Sequence, residues 1–188
     1  PGAISNYGSS PTFTNCNLWG DGSHEVLNSS ESRPTLVYSN VQGGVPIGAV
    51  DGGNNIDVDP MFVRAPNPGP DGNWDGVEDD YGDLRLQPGS PCINAGDPNL
   101  SFIPVETDLD GHPRVLCYTG DMGAYEFGIG NYDCFGVVDL SDFAAWPDCT
   151  TGPQGDPYCD GCEAFDGNAD FDVDLRDFAT FQNSLTAP

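Results

Sequence analysis

Lysine is absent from this chain, and its whole basic complement is five arginines set against 30 Asp and Glu. A formal charge of −25 on 188 residues repels phosphate backbones and anionic lipid surfaces. That argues against nucleic acid as a partner and favours bound cations. Histidine is scarce too: only His24 and His112 offer an imidazole base, and neither sits in a recognisable nucleophile or metal motif. Without such a motif, and with so many acids that some carboxylate pair is always available, composition selects no catalytic centre. No apolar run approaches the about 18 residues a membrane-spanning helix needs, so membrane insertion is not expected. The chain opens "PGAISNYG" with no signal peptide, and so reads as a processed chain or fragment of a secreted protein.

What is plentiful points the same way. Aspartate far outnumbers glutamate and stands mostly beside Gly, Asn or another Asp, which suits turns and metal loops better than helix faces. With 37% hydrophobic and 11% aromatic residues the chain can pack rather than remain disordered. Seven cysteines among abundant Gly, Pro, Asn and Ser fit an oxidising, extracellular compartment, and the odd number leaves one thiol free or bonded between chains. Asn28 and Asn99 lie in Asn-X-Ser sequons.

The N-terminal part repeats itself. Placing "SSPTFTNCNLWGDG" (9–22) above "SRPTLVYSNVQGG" (32–44) matches Phe13 with Leu36, Asn17 with Asn40, Leu18 with Val41, Gly20 with Gly43 and, upstream, Ile4 with Leu27. Short strands closed by Asn and Gly turns and repeated every ~20–30 residues are what a stacked solenoid requires. Val50 would continue the Ile4 and Leu27 column, after which the match ends. Irregular Pro- and Gly-rich sequence follows, with strand-like pieces at 61–64, 114–118 and 124–127.

The C-terminal part carries duplicated acidic loops. In "DGNADFDVDLRD" (166–177) oxygen-bearing side chains fall at positions one (Asp166), three (Asn168), five (Asp170), nine (Asp174) and twelve (Asp177), with the Asp172 carbonyl at seven. This is the ligand spacing of an EF-hand-type calcium loop, and hard oxygen donors in that number suit calcium better than zinc or magnesium. Position six is Phe171 where glycine is usual. An apolar helix follows on Leu175, Phe178, Ala179 and Gln182, with Phe181 and Leu185 widening its face. An earlier copy places Asn131, Asp133, Val137, Asp139 and Asp142 at one, three, seven, nine and twelve, with Gly136 at six but Phe135 at five, so it should bind more weakly. A third acidic run, "DGNWDGVEDD" (71–80), offers Asp71, Asn73, Asp75, Asp79 and Asp80. "DLDG" (108–111) is adequately explained as a turn. Helices are expected at about 140–146, stopped by Pro147, and at 175–185.

Two resemblances follow from these residues. The phrases "NIDVDPMF", "DLRLQPGSPCINAGD" and "DLDGHPR…DMGAYEF" resemble the C-terminal coils and cap of secreted, planctomycete-type right-handed parallel β-helix surface proteins, over about residues 1–128. "VVDLSDFAAW" and "DVDLRDFATF" resemble the dockerin type I repeat, over about 130–186. The first implies a mainly β fold, the end coils and cap of a β-helix over 1–128, and a cell-surface setting. The second implies a small two-helix calcium-binding module over 129–188. Its recognition positions hold Leu140-Ser141 and Leu175-Arg176 instead of small hydroxyl pairs, so cohesin docking is not expected. Spacing leaves the disulfide connectivity open; the favoured set is Cys92–Cys117, Cys149–Cys162 and Cys134–Cys159 with Cys16 buried, while "CDGC" (159–162) as half a zinc site is the lesser alternative.

The function expected is a non-catalytic, extracellular, calcium-stabilised module engaged in protein–protein contacts, through a cell-surface scaffold or through self-association. An uncovered first coil would allow head-to-tail growth into filaments. The alternative is a fragment of a β-helix glycan-active enzyme, a polysaccharide lyase or hydrolase binding glycan along the solenoid and anchored by the dockerin-like part.

Overall fold

The computed structural model describes residues 4–20, 25–74, 76–100, 107–116, 119–134, 138–152 and 162–185. Its first part is built from the two sequence repeats lying side by side. β1 (Ile4–Asn6) pairs in parallel with β4 (Val26–Asn28), β2 (Thr12–Thr14) with β5 (Thr35–Val37), and β3 (Asn17–Leu18) with β6 (Asn40–Val41). Thr12 faces Thr35, Phe13 faces Leu36, Asn17 faces Asn40 and Leu18 faces Val41. The corner between strands is the same in each copy, since Asn15 and Tyr38 both adopt positive φ (55° and 46°). Inside lie Leu18, Val26, Leu36 and Val41, with Ile4, Phe13, Cys16, Val45 and Ala49 against them.

The β-helix expectation is overturned. The parallel pairing stops at separate sheets of two and three strands, and the described residues contain no closed or solenoid sheet. A third turn is represented only by β7 (Val50–Asp51), which pairs with β5, and by a single bridge from Asn40 to Ile56. The next pair, β8 (Phe62–Arg64) with β9 (Asp83–Leu86), runs antiparallel, which stacked coils cannot supply. The physical reason is that two copies of a repeat leave each coil with a single covered face, and the proline-rich run that follows lacks the N–H donors to extend the ladders. With no solenoid cross-section to expose, the ground for expecting filament growth goes too.

Smaller corrections follow. Ile4 pairs with Val26 rather than Leu27, which points outward at 40% exposure, and Val50 joins the β2–β5 column instead of that of Ile4. Residues 114–116 and 124–127 form no strand, although 62–64 do. A second core of Leu86, Cys92 and Met122, flanked by Tyr38, Ile56, Phe62 and Phe127, lies beneath these irregular segments.

Beyond Gly128 the backbone turns helical. α1 (Leu140–Phe143), α2 (Trp146–Cys149), a 3-10 turn (Glu163–Phe165) and α3 (Leu175–Ser184) replace the expected two helices. Pro147 begins α2 instead of stopping α1, because a first-turn proline has no intrahelical donor to lose. Val138, Trp146, Cys149, Cys162, Phe165, Val173 and Phe181 form the third core. The inward face of α3 is Phe178, Phe181 and Leu185, while Leu175 stays exposed.

Candidate metal centre

The loop 166–177 is shaped by its own carboxylates. Asp166, fully buried, accepts the N–H groups of Asp170 (3.2 Å) and Phe171 (3.1 Å). Asn168 Oδ1 accepts the N–H of Asp170, and its amide donates to Asp170 Oδ2 at 2.9 Å. The chain can fold so tightly because Ala169 and Phe171 take left-handed φ values of 56° and 68°. Glycine would reach φ 68° without strain, so Phe171→Gly is expected to stabilise this loop by about 1 kcal/mol. Denaturant unfolding checks it; a net loss would mean that the half-exposed phenyl ring contributes packing that outweighs backbone strain.

Positions nine and twelve have a second role that spacing alone did not separate from metal binding. Asp174 is the N-cap of α3 and accepts the Arg176 N–H, while Asp177 at N3 accepts the Asp174 N–H at 2.8 Å, a reciprocal capping box. Asp177 Oδ1 also takes the Gly167 N–H at 3.0 Å, tying the loop's start to the helix. Capping needs neither Asp170 nor Asp172. Yet carboxylate oxygens of Asp170, Asp172 and Asp177 lie within 4.8 Å of one another. Burial is the strongest influence on Asp177 and, with the charges of Asp166, Asp170 and Asp174, pushes its carboxyl up against the lowering effect of the Asp174 N–H. Gathered like charges of this kind could hold a cation, and three carboxylates with no thiol or imidazole among them offer only hard oxygen donors. Arg176 supplies only a long, exposed contact to Asp170 at 3.7 Å.

The first loop copies half of this arrangement. Asp142 caps α1 with Asp139 and takes the N–H groups of Asp133 (3.1 Å) and Asp139 (2.8 Å), as Asp177 does in the second loop. Cys134, at position four, has φ 61° where Ala169 has 56°. Asn131 and Asp142 are buried, but the described residues of this loop assemble no three-oxygen group; Val137 lies outside them.

The third run is not gathered among the described residues. Asp80 is held by Arg64 in a two-point ion pair (2.8 and 3.0 Å), Asp79 accepts the Gly76 N–H, Asp71 accepts that of Asn73, and Asp75 lies outside the described residues. "DLDG" does bring Asp108, Asp110 and His112 together, as a turn. Asp108 accepts the N–H groups of Asp110 and His112, and both oxygens of Asp110 are taken by Arg85 at 2.6 Å. Burial opposes ionisation of Asp108, but the His112 side chain and the N–H groups of Glu126 and His112 keep its carboxyl below the usual range.

Among the cysteines, Cys149 is bonded to Cys162 across the third core, and Cys134 is disulfide-bonded as well. Its favoured partner Cys159 lies outside the described residues, as do Cys117 and His24. Cys92 corrects the expected Cys92–Cys117 bridge: it is a free, fully buried thiol that donates to Asn17 Oδ1 (3.1 Å) and accepts from the Asn40 amide (3.4 Å). Cys16 is free too and half-buried.

One buried polar network was not singled out from the sequence. Arg114 meets Glu126 at 3.0 Å beneath the surface, beside Asp108 and Asp121. Nothing marks Glu126 among 30 acids except its place in "DMGAYEF". No protein-family model matches the chain, and no curated protein or solved structure matches it either. No helix among the described residues is long and apolar enough to cross a membrane.

Proposed function

We propose that this chain is a non-catalytic, extracellular structural and interaction module whose C-terminal part, about residues 129–188, is a dockerin-like duplicated loop pair ordered by calcium. The observation that carries the reading is the convergence of Asp170, Asp172 and Asp177 ahead of α3, beyond what helix capping requires. A hard cation offsets that repulsion, and an irregular, oxygen-only loop accommodates calcium's variable coordination better than magnesium's strict octahedron. Bonded cysteines beside the loops fit an oxidising compartment.

Calorimetric titration of the chelator-stripped chain is the test. Calcium is expected to bind at the second loop with clear heat and to raise the unfolding temperature with the logarithm of its concentration, with magnesium weaker. Absence of both calcium heat and a stability shift would end the proposal.

A further inference from the structure

Segment 119–127 holds the irregular region to the N-terminal ladders. Met122 N–H donates to Cys92 O (3.0 Å), Gly123 N–H to Asn15 O (2.8 Å), and the Asn17 amide to Met122 O (2.7 Å), while Gly96 N–H reaches Gly120 O (2.9 Å). At its centre sit three buried carboxylates. Asp121 accepts the N–H groups of Asn94 (2.7 Å) and Phe127 (2.6 Å), so it joins residues 92–97 to 119–127 through one carboxylate. Glu126 folds back onto the Asp121 N–H, both oxygens at 3.1 Å, and Asp108 takes the Glu126 N–H at 2.9 Å. Among the described residues the charged and titratable groups facing the pair are Asp108, Arg114 and the Cys92 thiol, with His112 reaching Asp108 at 3.6 Å.

The charge does not balance. Among the described residues three carboxylates share one guanidinium, and Asp108, bound by three N–H groups, keeps its charge. A buried anion left without a cation takes up a proton instead. We infer that the Asp121–Glu126 pair is a pH-operated latch: with one proton on the pair, segment 119–127 stays closed on Asn15, Asn17 and Cys92, and loss of that proton loosens it.

Burial, then the charge of Asp121, pushes Glu126 up from 4.5 to about 8, and burial pushes Asp121 up from 3.8 to about 6. Both folded values lie above the unfolded ones. The latch is therefore at full strength below the unfolded values and is lost as pH climbs through the folded ones.

Amide hydrogen exchange at Met122, Gly123 and Phe127, corrected for the intrinsic rate, tests this on the whole chain between pH 5 and 8. Protection should fall on the order of tenfold per pH unit between the open-form and closed-form values, where the closed pair holds its proton and the open segment does not, and level off above them. Glu126→Gln, and separately Asp121→Asn, should remove most of that slope, leaving amides of α3 as an unaffected reference. A second measurement needs no variant: the infrared band of a protonated carboxylic acid should persist at pH 6 and vanish by pH 9. A flat wild-type protection profile, a slope unchanged in Glu126→Gln, or a band already absent at pH 6 would each overturn the latch.

Discussion

Asp177→Ala is expected to unfold residues 162–185 in the calcium-loaded chain and to abolish its response to calcium. Asp177 is almost fully buried and holds two buried N–H groups, those of Gly167 and Asp174. Alanine leaves both without partners, at about 1–3 kcal/mol each, and removes the capping box besides. Asp177→Asn separates that contribution from the cation's, because the amide oxygen still accepts one N–H but carries no charge. Without calcium the asparagine relieves repulsion from Asp166, Asp170 and Asp174, so it should cost little or even stabilise. With calcium saturating, the same substitution should lower stability, since the loop loses a charged ligand. Paired denaturant unfolding with and without calcium reads the sign change. Equal losses under both conditions would reduce Asp177 to a helix cap and withdraw the calcium proposal.

Phe181→Ala is expected to remove about 3–5 kcal/mol, close to the whole stability of so small a core. Phe181 is 1% exposed, and its ring centroid lies 5.9 Å from Phe143, 5.5 Å from Trp146, 5.6 Å from Phe165 and 6.4 Å from Phe178. Gly130 packs so closely against it that an added Cβ would stand 2.8 Å from Phe181 Cδ2. The ring therefore joins α1, α2, the 3-10 turn and the chain entering the module at Gly130. Loss of near-ultraviolet dichroism from Trp146, with exchange protection of β5 unchanged, is the expected outcome. Calcium should restore part of the lost stability by binding the folded form. A destabilisation below about 1 kcal/mol would mean that the aromatic cluster collapses around the gap, and that the loops do not depend on it.

Much of the local order could be read from the residues. The Phe13–Leu36 and Asn17–Asn40 register follows from apolar and Asn positions recurring at one interval, and the parallel strands keep it. The apolar spacing after the Asp-rich loop placed α3 at its start and within a residue of its end, and Asp174 and Asp177 set that N-terminus through short-range hydrogen bonds. What the repeat could not say was how far stacking would continue. That depends on whether a third segment brings enough N–H donors and apolar cover, and β7 with one bridge is all that follows. Pro147 shows the same limit on a smaller scale, since proline both ends and begins helices.

Composition and spacing by themselves determined the acidity, the paired loops and the strand register, all properties set within a few residues or by total charge. Only tertiary structure decided which carboxylates act together. Asp170, Asp172 and Asp177 converge because two left-handed residues fold the loop back on its helix. Asp80 and Asp110 are instead taken by Arg64 and Arg85, and Glu126 is buried against Arg114, twelve residues earlier in the chain. Charges interact through space over distances that chain separation does not encode, so 30 similar side chains acquire different roles only once the backbone has placed them.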